Sequence, residues 1–286
     1  MPKGIQDAYT NIMGSWYGGT DPLVTALWAC CGLTLWCWSV SIATDDYSQV
    51  DRLWSILPVA YVVHFAAHAG FADARLGLMT VLVGLWGVRL TWNFARKGGY
   101  RRGGEDYRWP AVRRWLGPVG FQLLNATFIA PFQNLVLLLL AAPAYVAWQA
   151  RGTPLGPLDA LAASAFVVFW VGEAIADQQQ WRFQSDKRVR RARGASIDAE
   201  FLTTGLFRYS RHPNFFCEQA MWWAFYGFAV AASGVWVSPW VAGPVLLTGL
   251  FQGSTWLTER LTVEKYPAYR DYQRTTSRLV PMPPGP

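Results

Sequence analysis

The sequence predicts an all-α, polytopic membrane protein of about seven transmembrane helices, with its N-terminus outside and its C-terminus in the cytoplasm. Three observations predict it. Of the 286 residues, 52% are hydrophobic and only 15% charged, against about 25% charged in an average globular chain. Apolar runs approach the ~20 residues that cross a hydrocarbon core. Basic residues collect on one side of the topology those runs define.

The first run, residues 22–43, is long, follows a barely basic N-terminus and lacks a convincing cleavage site, so it reads as a retained span and not a secretory leader. It holds Cys30, Cys31 and Cys37, which with Cys217 show no metal-ligand spacing and read as packing residues. The second run, 53–70, carries His64 and His68 four residues apart. Without the Glu of HExxH they read as packing or hydrogen-bonding groups, and no metal is expected. In the third run, 76–94, Arg89 needs an anionic or carbonyl partner, because a guanidinium in hydrocarbon is costly. The fourth, 121–148, contains Pro131 and Pro143 and is long for one span. It is expected either to begin as an interfacial segment at "GPVGFQLLN" or to kink within the membrane. Runs at 157–177, 215–232 and 236–258 complete the set.

The connections after the first, third, fifth and seventh runs hold 21 Lys and Arg residues; the other side holds only Lys3, Arg75 and Arg151. That asymmetry predicts an odd number of spans. It also accounts for the net charge of +7, so no nucleic-acid partner is expected, and no recognition module is present. No repeat or low-complexity linker divides the chain, which reads as a single membrane-embedded domain over 1–286.

Chemistry concentrates in "GLFRYSRHPNFFCEQ", residues 205–219. Pro213 suits the first turn of a helix, where its missing N–H costs nothing. The N–H groups of that turn, with Arg208, Arg211 and His212, predict a phosphate site at the cytoplasmic boundary. Asn214 and Glu218 stand four apart on the same helix, an amide and a carboxylate suited to a ligand with amide and hydroxyl groups. Glu173 and Asp177 repeat that spacing at the end of the fifth run. With Glu259 these acids lie at depths where an unpaired carboxylate is expensive, so they read as a site or as partners of nearby arginines.

"GLFRYSRHPNFFCEQAMWW", with "EAIADQQQWRFQ", "DRLWSILPVAY" and "EKYPAYRDYQRTTSRLVP", resembles the DUF1295 membrane proteins, which are similar to the steroid 5-alpha-reductase C-terminal domain. The resemblance runs from about residue 51 to the C-terminus. Wider kin include sterol reductases and isoprenylcysteine carboxyl methyltransferases. It implies that residues 157–281 bind NADPH from the cytoplasm, with cofactor roles for Glu173, Asp177, Arg208, Tyr209, Arg211, His212, Asn214 and Glu218. It further implies that helices within 22–150 hold a lipid substrate, with Trp54, Ile56 and Trp86 in its pocket. The reductases place an acidic or amide residue before a Leu-Pro and a Tyr in the next helix to polarise the substrate carbonyl. This chain has Ile56 and Trp86 there, so either another group donates, with Tyr61, His64 and Arg89 as candidates and Tyr61 and Arg89 favoured, or the substrate is not a steroid enone.

The expected function is therefore NADPH-dependent reduction of a carbon–carbon double bond in a sterol-like or isoprenoid lipid, by an integral protein of a bacterial-type inner membrane. The alternatives are an S-adenosylmethionine-dependent methyltransferase and a lipid-binding relative without catalysis.

Overall fold

The computed structural model describes residues 21–196 and 199–285, and among these every regular element is helical. Lys3 lies outside the described residues. Ten α-helices follow one another: α1 (Pro22–Thr44), α2 (Gln49–Leu53), α3 (Leu57–His68), α4 (Ala74–Arg96), α5 (Arg108–Leu124), α6 (Pro131–Gln149), α7 (Pro157–Ala192), α8 (Pro213–Ser233), α9 (Ala242–Lys265) and α10 (Tyr269–Thr275). Helices fall within each of the seven expected runs, but the second and the fourth are each divided between elements. Four helical stretches are long and apolar enough to cross a membrane: α1, α4, the stretch from α5 through α6, and α7.

Local chemistry sets the boundaries. Asp21 caps α1 by accepting from the N–H of Leu23 at 2.8 Å, and Pro22 follows in the first turn. The second run breaks into α2 and α3, and α3 is only 12 residues long. Pro58 lacks a donor and so belongs to the start of a helix, which is why the segment 53–70 is not one rod. Just before the fourth run Gly117, at φ 67°, and Pro118 bend the helix, and within the run a π turn at Asn125–Ile129 precedes Pro131. The helical stretch thus begins before residue 121 and is interrupted twice. α7 does not end at 177 but continues to Ala192, since a helix need not stop where the apolar run does.

The chain forms two compact units. The first runs up to Ala160 and includes Tyr226–Gly243; the second comprises Leu161–Phe225 and Pro244–Pro286. The division does not follow chain order, since Tyr226–Gly243 returns to the first unit.

In the first unit α6 is central: Val136, Leu137, Leu140 and Ala141 through Ala147 are buried, and it packs against α1, α3 and α4. α3 and α4 meet at Gly87, where an added Cβ would lie 2.7 Å from the carbonyl oxygen of Ser55. Arg75 is 2% exposed and makes a two-toothed ion pair with Asp159 at 2.7 and 3.0 Å, while also donating to Thr153 and the carbonyl of Pro154.

In the second unit α7 and α8 approach at Gly172, whose Cβ would sit 2.8 Å from Cys217 Sγ. Ring contacts of Phe166 with Phe225 and Phe169 with Phe216 flank that point. α8 meets α9 through Phe215 and Phe251, with ring centres 4.6 Å apart. Further along α7, the Lys187 ammonium donates to the carbonyl of Glu200 and lies 4.7 Å from the Tyr266 ring centre.

Candidate functional site

The eight residues expected to bind a cofactor all belong to the second unit. Glu173 and Glu218 follow Gly172 and Cys217, residues at which α7 and α8 approach. Glu173, Asp177 and Glu218 are buried, and Asn214 is half-buried one turn before Glu218. Adjacent turns of the two helices therefore carry three carboxylates and a carboxamide.

The loop leading into α8 is held against α7. Gly205 has φ 64°, a left-handed conformation, and a Cβ there would come within 2.6 Å of the Gln179 amide. Gln179 Oε1 accepts from the N–H of Leu206 at 3.0 Å. Arg208 and Tyr209, which follow, are exposed.

Arg211 and His212 have a different setting. Arg211 Nε and Nη2 donate to the two oxygens of Glu259 at 2.6 and 3.0 Å, and its Nη1 donates to the carbonyls of Gln273 and Thr276. His212 Nε2 lies 3.0 Å from Glu259 Oε1, and Gln273 Nε2 donates to Oε2 at 2.8 Å. Burial pushes the Glu259 carboxyl up, but the hydrogen bonds from His212, Arg211 and Gln273 outweigh it and hold the carboxyl at about 2. The backbone is engaged as well: the N–H groups of Arg211 and His212 donate to the carbonyls of Ser277 and Arg278, and that of Met282 donates to the carbonyl of Tyr209. Ser210, fully buried, donates to the carbonyl of Leu279 at 2.8 Å. Residues 277–282 thus run across the start of α8. The expected cationic cluster at the helix start is reduced to Arg208, because Arg211 and His212 are bound to Glu259.

Gln179, Ser210, Gln273 and the 277–282 segment were not among the expected site residues. "RTTSRLVP" stood out as a motif, yet its use as a backbone partner leaves no mark in side-chain chemistry. A groove of about 360 Å³ lies beside the network. Arg260 and Glu264 pair at 3.5 Å along it, and Glu259 is engaged by Arg211.

The remaining expected residues lie in the first unit. Tyr61 is 4% exposed, Trp86 is fully buried, and Trp54 and Arg89 are half-buried. Ile56 is 43% exposed and faces outward. His64 Nε2 is 2.9 Å from Thr25 Oγ1 and 3.0 Å from the carbonyl of Pro22, and the His68 ring packs edge-on against it. At the end of α1, Asp46 pairs with Arg52 at 2.6 Å. Burial, then the neighbouring Asp106 carboxylate, push the Asp51 carboxyl up, against the opposing pull of Arg108.

Residues 37–276 match the family described as "Protein of unknown function (DUF1295)". An uncharacterized protein of Schizosaccharomyces pombe is 42% identical over 279 residues, covering 93% of this chain and 81% of the relative. No solved structure matches the chain.

Proposed function

The chain belongs to the DUF1295 family, and from that premise we propose that it is a membrane-embedded, NADPH-dependent reductase of a carbon–carbon double bond in a sterol-like or isoprenoid lipid. The observation that carries the reading is the buried face of Glu173, Asp177, Asn214 and Glu218 beside the exposed Arg208. A nicotinamide dinucleotide phosphate asks for two kinds of partner: acceptors and an amide for its hydroxyl and carboxamide groups, and cations for its phosphates. The face supplies the first kind. Arg208 and the exposed arginines at the end of α7, Arg188, Arg190, Arg191 and Arg193, supply the second. The donor set therefore fits the group, which when bound supplies the hydride.

In this reading Glu218 and Asn214 orient the cofactor and the acids of α7 accept from its hydroxyls. Tyr61 holds the proton for the lipid, and Arg89 polarises its oxygen. The chain crosses the membrane seven times, α3, α8 and α9 adding to the four stretches of sufficient length, with the N-terminus outside. The 21 basic residues that mark the cytoplasmic side support that orientation.

One observation favours a second reading. Glu259 pairs with Arg211 and accepts a hydrogen bond at His212, which leaves fewer cations for a polyanion and suits the single sulfonium and amino acid of S-adenosylmethionine, hence methyl transfer to a lipid.

Melting of the detergent-solubilised protein with NADPH, NADH or S-adenosylmethionine tests both, since a ligand at a hundred times its Kd stabilises the folded state by about 2.7 kcal/mol. The expected result is a rise with NADPH that Asn214→Ala and Glu218→Ala abolish while each variant still melts cooperatively. A rise only with S-adenosylmethionine transfers the assignment to the methyltransferase. No rise at saturating ligand refutes both and leaves a lipid-binding scaffold.

A further inference from the structure

Glu173 and Asp177 belong to a longer stripe. α7 is continuous from Pro157 to Ala192, and steps of four, three, four, three and four residues lead from Glu173 through Asp177, Gln180, Gln184 and Lys187 to Arg191. Those spacings keep side chains on one face of a helix. The stripe is acidic at one end and cationic at the other. Lys187 lies about 15 Å beyond Asp177 along the helix axis and about 21 Å beyond Glu173, at a rise of about 1.5 Å per residue.

Lys187 differs from the arginines around it. It is 6% exposed, whereas Arg188, Arg190, Arg191 and Arg193 are exposed. A lysine is almost never buried without a counter-ion. The hydrogen-bond partners of this one among the described residues are the carbonyl of Glu200 and, at 3.3 Å, the Tyr266 hydroxyl, neither of them a carboxylate. Its ammonium also sits 4.7 Å from the centre of the Tyr266 ring, and Lys265 Nζ lies 5.2 Å from the same ring. Arg191, one turn beyond Lys187, is directed at the same oxygen. Burial pushes the Tyr266 phenol up, but hydrogen bonds donated by Lys187, Arg191 and Lys265 outweigh it and bring the phenol below its ordinary value.

We propose that Lys187, Arg191 and the Tyr266 hydroxyl form the site of a phosphate monoester. The identity of the ligand rests on the cofactor reading above: the group is the phosphate on the adenosine ribose that distinguishes NADPH from NADH. A phosphate monoester brings nearly two negative charges and three acceptor oxygens, and an ammonium, a guanidinium and a phenol donate to them. The dianion supplies the counter-charge that the buried lysine lacks. The separation of the stripe's acids from its cations is comparable with the length of an extended dinucleotide. Arg188 is turned about 100° away from Lys187 around the helix, so it attracts any dinucleotide without telling the two apart.

Calorimetric titration of the full-length protein in detergent, without lipid substrate, tests this with NADPH, NADH, adenosine 2′,5′-bisphosphate and adenosine 5′-monophosphate. The 2′-phosphorylated member of each pair is expected to bind at least about tenfold more tightly, the scale of one charge-assisted hydrogen bond. Arg191→Gln and Lys187→Met should each lower that preference about tenfold, whereas Arg188→Gln should weaken both dinucleotides alike and keep it. Arg191 is exposed, so its variant decides the matter even where Lys187→Met fails to fold. Equal binding within each pair would overturn the inference while leaving the cofactor reading in place, and so would an Arg191→Gln protein that keeps the full preference. A preference for the bisphosphate with no binding of either dinucleotide would support the phosphate site and refute the cofactor reading. Phosphatidic acid in nanodiscs is the remaining probe. Its binding, lost in Lys187→Met, with no preference within either nucleotide pair, would assign the cations to a lipid headgroup and overturn the nucleotide assignment.

Discussion

Replacing Glu259 by Gln should unfasten the start of α8 from the segment that crosses it. The carboxylate accepts from Arg211, His212 and Gln273, and the side chains of Arg211 and Glu259 are 9% and 7% exposed. A carboxyl held at about 2 instead of its ordinary 4.5 corresponds to about 3 kcal/mol of preference for the charged form in the folded state. Removing one partner of a buried ion pair costs about 3–5 kcal/mol, which agrees. Loss of about 3 kcal/mol lowers the melting temperature by on the order of 12 °C for a unit the size of the second, Leu161–Phe225 with Pro244–Pro286. The pH dependence has a defined sign. A carboxyl depressed by folding stabilises fully above its unfolded value and loses that contribution as pH falls through its folded one. The difference between parent and Glu259→Gln should therefore be constant from pH 8 to about 5 and shrink between about 4.5 and 2. Scanning fluorimetry of both proteins across that range measures it. A Glu259→Gln protein melting within 1–2 °C of the parent at pH 7 would refute the reasoning, because a surface-grade pair is worth only about 0–1 kcal/mol.

Two further predictions concern packing. Arg75→Ala should destabilise the first unit by about 3–5 kcal/mol, since it strands the buried Asp159 carboxylate; a fall in the denaturation midpoint shows it, and an unchanged midpoint contradicts the pairing. Gly172→Ala should cost about 1–3 kcal/mol by driving a methyl into Cys217 Sγ. Adding Cys217→Ala should restore part of that loss, whereas simple additivity of the two changes in a double-mutant cycle would place the strain elsewhere.

How far residue order reveals structure differs between the two units. Long apolar runs and prolines made the helices legible, and Pro58, Gly117 and Pro118 explain the breaks, because backbone donors and φ limits are local properties. The reach of α7 to Ala192 was not legible, since its last turns are polar on all sides and resemble a loop in composition. Spacing grouped Asn214 with Glu218 and Glu173 with Asp177, and Gly172 against Cys217 supplies the cross-helix step that spacing lacks. The role of Glu259 was hidden for a physical reason: its partners Arg211 and Gln273 lie 48 and 14 residues away, and ion pairing leaves no periodic trace.

The crossing of residues 277–282 over 209–212 has a consequence for biosynthesis. Translation delivers the Arg-His-Pro-Asn turn some seventy residues before the segment that completes its hydrogen bonds. Until then the N–H groups of Arg211 and His212 and the hydroxyl of Ser210 must be served by water or by a chaperone. The second unit can thus form its helices early but completes the hydrogen bonds at the start of α8 late, and a nascent chain stalled before residue 277 would leave that helix start unfastened.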